Sequence, residues 1–70
     1  MEKNNLRIEW GSRIRQLRIE QSISARTLAE MVGTHAMNIH RIEEGKYSIR
    51  FEMLVNILDA LGYKLEITPK

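Results

Sequence analysis

Between Gly33 and Gly45 the chain reads "GTHAMNIHRIEEG". Within that stretch Ala36, Met37, Asn38, His40 and Arg41 assemble an amide, an imidazole, a guanidinium and a thioether, with no acid among them. Hydrogen-bonding groups and a permanent positive charge, free of carboxylates that would repel phosphate, suit contact with an anionic polymer. They do not make a catalytic constellation. A nucleophile needs a positioned base, acid–base chemistry needs groups facing one another across a cleft, and a domain this small offers little room for a pocket. His35 and His40 stand five residues apart, a spacing that does not set two imidazoles on one helix face. The chain has no cysteine to complete a zinc site. No catalytic residue, metal or cofactor is expected.

These groups need elements to hold them, and apolar spacing supplies the elements. Trp10, Ile14 and Leu17 recur at helical spacing and give a first helix that runs to about Gln21. Ser24 is an N-cap before "ARTLAEMV", whose Leu28, Ala29 and Val32 form one stripe, and Gly33 can take the left-handed conformation that ends it. After "GTH", Ile39 and Ile42 turn a third helix inward until Gly45 stops it. A fourth, "FEMLVNILDALG", repeats apolar residues at 51, 54, 57, 58 and 61 before Gly62. In the tail "YKLEIT" the period changes to two: Tyr63, Leu65 and Ile67 alternate with Lys64, Glu66 and Thr68, which predicts a strand. "NLRIEW" alternates as well but also fits helical spacing, and is read as the start of the first helix.

Seventy residues make one small domain, 1–70, near the size at which a single core only just holds a fold and a second copy helps. With 43% hydrophobic and 29% charged residues the composition is that of an ordinary globular chain. No apolar run approaches a membrane span, and "MEKNNLRIEW" lacks the apolar core of a secretory signal, so no membrane association and a cytoplasmic location are expected. The formal charge is only +2. Attraction to a polyanion must therefore come from where the charges sit.

Two short helices joined by a tight glycine turn, between a longer helix on each side, form the unit that sets one helix in a DNA groove. The pieces "IRQLR", "ISARTLAEMVG" and "IHRIEEGK", in this order and at this spacing, resemble the Cro and repressor type of helix-turn-helix domain, the XRE family. The likeness runs from about Trp10 to Gly62. It implies an all-α, lambda-repressor-like bundle of about four helices, here with a short C-terminal β-strand, and a DNA-binding transcriptional regulator, a repressor. The family's base-reading positions match Ala36, Met37 and Arg41, with Asn38 and His40 nearby. An arginine fork can donate twice to guanine, asparagine can pair with adenine, and methionine can touch a thymine methyl. Backbone anchoring matches Ala25 and Arg26, His35, and the loop from Lys46 through Tyr47 and Ser48, with Arg50 close by. Where many relatives carry glutamine this chain has Ala25, a contact that Arg26 replaces. Glu43 matches a carboxylate that the family sets against an arginine of the first helix, here Arg18. Glu44 departs from the pattern, since the family commonly has a neutral or basic residue there.

The expected partners are double-stranded DNA and a second copy of the chain. A lone strand in a helical domain leaves unpaired backbone edges, so residues 63–68, with Tyr63, Leu65 and Ile67 on the apolar face, are expected to join a homodimer. A second reading is an antitoxin that binds a toxin protein and also regulates its own operon, as the resemblance to small relatives with a strand-like tail implies. The absence of a long disordered tail weighs against it.

Overall fold

Each of the four helices among the described residues stops in the same way. After the last turn the backbone takes a positive φ, and two reversed hydrogen bonds close the end. For α2 (Ala25–Val32) the left-handed residue is Gly33 at φ 76°, with Thr34 N–H donating to Ala29 C=O at 2.8 Å and Gly33 N–H to Glu30 C=O at 3.4 Å. This Schellman pattern satisfies carbonyls that the helix leaves unpaired. It recurs after α3 (Ala36–Glu43) at Gly45 and after α4 (Phe51–Ala60) at Gly62. After α1 (Lys3–Glu20) the position is filled by Ser22 at φ 57°, a conformation that costs a residue with a Cβ more than glycine. The α2 start is fixed by Ser24, whose hydroxyl accepts from Thr27 N–H at 3.0 Å.

The computed structural model describes residues 3–46 and 48–69. The four helices enclose one apolar cluster of Ile14, Ala25, Leu28, Ala29, Ile39, Ile42, Ile57 and Leu61, with α3 packed on α1 and α2, and α4 on α2. The family's bundle is therefore the observed architecture. In detail the inward stripe of α1 is Gly11, Ile14 and Arg18, spaced i, i+3 and i+7. The expected Trp10 lies at the rim and Leu17 is half-buried. Phe51 also departs from the expected core: it opens α4 and is 72% exposed, lining a surface groove with Val55 one turn on.

The tail is the other departure. Residues 63–69 carry no regular secondary structure, so the strand expected over 63–68 is not formed in the single chain. A strand exists only by pairing with another, and the alternating "NLRIEW" has spent its backbone groups within α1. Among the described residues no backbone group of 64–69 has a backbone partner.

Candidate nucleic-acid interface

The position of α3 is set by its joint with α1, where two features meet. One is an absent side chain. A Cβ on Gly11 would strike the carbonyl oxygen of Ile42 and lie 2.7 Å from that of Glu43, so only glycine lets the end of α3 rest directly on α1. Gly45 is under the same constraint from the other side, since its Cβ would lie 2.9 Å from the Cα of Ile8.

The other is an ion pair within the same joint. Arg18 Nε donates to Glu43 Oε2 at 2.7 Å and Nη2 to Oε1 at 3.0 Å, a two-pronged match of guanidinium to carboxylate. Its third nitrogen, Nη1, donates to the carbonyl of Ile23 at 2.9 Å and so draws in the turn before α2. Both side chains are buried. The hydrogen bond to Glu43 raises the Arg18 pKa above its usual value, burial pulls it down, and the attraction of the carboxylate adds to the rise. Arg18 remains charged throughout the accessible pH range. A further tie, Gln21 Nε2 to Leu61 C=O at 2.6 Å, fixes the end of α1 to the end of α4.

With Ile39 and Ile42 in the core, the rest of α3 faces out. Met37, His40 and Arg41 are exposed, Ala36 and Asn38 are half-buried on its flanks, and Met37 shows 62% of its surface. His40 and Arg41 make no side-chain hydrogen bond or ion pair among the described residues, and the same holds for His35, Lys46 and Arg50. Asn38 is committed: its amide nitrogen donates to Thr34 Oγ1 at 2.7 Å, which ties the first turn of α3 to the inter-helix turn.

One open groove of about 580 Å3 brings the pieces together. Asn38 and Arg41 line it from α3, Ser48 and Arg50 from the following loop, and Ile42, Ile49 and Met53 form the rest of its lining. Two guanidiniums, a hydroxyl and an amide thus share a concave strip at the edge of the exposed helix. Lys46 is exposed on the same loop, and His35, also exposed, immediately precedes α3. Arg26 stands in the first turn of α2, 85% exposed and 3.9 Å from Glu30, a solvated contact worth little that leaves it available. Ala25 is different: the residue is 8% exposed and belongs to the core, so it offers a partner only its backbone N–H. Tyr47 lies outside the described residues. Glu44 is exposed at the end of α3, on the stripe of Met37 and Arg41.

Among the described residues no three metal-binding side chains converge, and no helix is long and apolar enough to cross a membrane. Sequence reasoning passed over Gly11, Thr34 and Gln21. Only Gly11 carried a signal, a glycine on the inward stripe of a helix, where it costs about 1 kcal/mol relative to alanine unless something needs the space. A family model described as helix-turn-helix (HTH_3) matches residues 14–67, more than half of the chain. No curated protein matches it.

Proposed function

The chain belongs to the helix-turn-helix family HTH_3, a family of DNA-binding transcriptional regulators, and from that premise we propose that it is a repressor that reads an inverted-repeat operator as a homodimer, with α3 in the major groove. The observation that carries the reading is the groove shared by Asn38, Arg41, Ser48 and Arg50 beside the exposed side chains of Met37, His40 and Arg41, in a run of α3 that holds no acid. A helix presenting Arg41 and His40 without protein partners among the described residues, next to a loop with further cations, divides the labour as duplex recognition requires. The loop and the residue before α3 hold phosphates, and the helix face meets base edges.

Arg41 is the principal base reader. Its fork is free to donate twice to a guanine, and Met37 offers the apolar contact for a thymine methyl. Asn38 donates to Thr34 Oγ1 and so meets the duplex from a fixed orientation. Lys46, Arg50, Ser48, Arg26, His35 and the Ala25 N–H serve the backbone. In a two-fold dimer the α3 helices would stand about one duplex turn apart, roughly 34–36 Å, or a multiple of it, which is why the operator is an inverted repeat.

The test is Arg41→Ala, titrated against a selected operator and against a scrambled duplex of the same composition. The expected loss on the operator is about 1–3 kcal/mol, roughly 5- to 150-fold in Kd, with a much smaller loss on the scramble. Equal losses on both would make Arg41 a phosphate contact, and no loss on either would remove α3 from the interface.

A further inference from the structure

Resting on the dimer just proposed, we infer that the tails of two copies pair antiparallel in one specific register, with the two-fold axis through Leu65. The observation behind it is that the tail is self-complementary about that residue. Lys64 Nζ and Glu66 Oε1 lie 3.4 Å apart on one side of the segment, and both are largely exposed. Side chains two apart on one side have the spacing of an extended chain, so Tyr63, Leu65 and Ile67 share the opposite face. The backbone from 64 to 69 has no backbone partner among the described residues, which leaves its donors and acceptors available for a ladder.

In a two-fold antiparallel pair, directly opposite residues share a face, and their numbers add to a constant. With the axis through Leu65 that residue meets its own copy, Lys64 of each chain meets Glu66 of the other, and Tyr63 meets Ile67. Every charge then faces its opposite, and each aromatic ring faces a β-branched side chain, two of the cross-strand pairings that stabilise sheets. Moving the axis one residue either way sets Lys64 against Lys64, or Glu66 against Glu66. An axis between residues would pair side chains of opposite faces, which an antiparallel ladder does not allow. Only one of these registers satisfies both faces.

The pairing also covers surface that the single chain leaves in water. Ile67 is 104% exposed, as bare as in an extended peptide, while Tyr63 and Leu65, bordered by Lys64 and Glu66, line a groove of about 400 Å3 whose other walls are the apolar Trp10, Leu17 and Leu58 and the charged Glu9 and Arg13. Opposite the partner's Tyr63, Ile67 reaches the mouth of that groove. Two identical surfaces, apolar along Tyr63, Leu65 and Ile67 and charged at their borders, thereby cover one another, which is the isologous contact a two-fold axis generates.

The experiment uses the absence of cysteine, so that one introduced thiol reports alone. Single variants Lys64→Cys, Leu65→Cys and Glu66→Cys of the full chain are oxidised mildly, and wild-type protein is sedimented at the same concentration. At the axis the two Cα atoms lie about 4.5–5.5 Å apart, within disulfide reach, whereas at 64 or 66 the offset along the strands opens the gap to roughly 8 Å. Leu65→Cys should cross-link at least tenfold faster than either neighbour. Lys64→Glu alone should shift the wild-type dimer toward monomer, and adding Glu66→Lys should restore it. A wild-type dimer in which cross-linking peaks elsewhere, or in which charge reversal has no effect, would overturn the register and leave the dimer standing. A wild type that stays monomeric at high micromolar concentration would overturn the dimer itself.

Discussion

Replacing Arg18 by alanine should destabilise the domain by about 3–5 kcal/mol, because the change leaves the Glu43 carboxylate buried without its partner. The same substitution removes the donor to the Ile23 carbonyl, so a second polar group loses its hydrogen bond. Typical domains hold only about 5–15 kcal/mol in all, so the variant should sit near its unfolding transition at room temperature. The penalty comes from stranding one charge, which differs from the net worth of the pair. Arg18→Met with Glu43→Leu removes both charges and should recover most of the loss, short of about 1 kcal/mol for the Ile23 carbonyl. Urea midpoints of the wild type, the single and the double variant decide it. A single variant that unfolds within about 1 kcal/mol of wild type would show that the pair is solvated and does not hold the α1–α3 joint.

Gly11→Ala should also lose stability, by about 1–3 kcal/mol, and here the sign carries the information. A glycine in a helix interior normally gains about 1 kcal/mol on becoming alanine. At this position the new methyl meets the carbonyl oxygens of Ile42 and Glu43, and those are backbone atoms that cannot rotate aside. Relief requires α3 to lift from α1, which moves Arg41 relative to the loop that carries Ser48 and Arg50. Operator affinity of the folded fraction should therefore fall together with the urea midpoint. A stabilised variant with unchanged affinity would mean that α3 does not rest on Gly11.

How far these features were legible follows from the physics of each. The helix boundaries were readable because they depend on local chemistry: a serine that caps α2, and glycines that take the positive φ ending α2 and α3. The outward set on α3 was readable because Ile39 and Ile42 fix which side is buried. Gly11 showed only as a costly glycine inside a helix, since its role depends on the carbonyls of Ile42 and Glu43, which only the packed joint brings close. The exposure of Phe51 was likewise hidden, because an apolar residue in the first turn of a helix keeps the period whether or not a neighbour covers it. The tail reads as a strand by its alternation and yet is none in the single chain. Alternation specifies which faces would match, while the ladder needs a partner that the sequence of one copy cannot supply.

Selection of binding sites from a pool of random duplexes tests duplex recognition most directly, because it presupposes neither an operator nor a register. Wild-type protein should enrich one inverted repeat, with half-site centres about 10–10.5 base pairs apart or a multiple of that spacing, and bind it on the order of a thousandfold or more tighter than the unselected pool. A selected pool indistinguishable from its input after repeated rounds would contradict sequence-specific duplex recognition by α3.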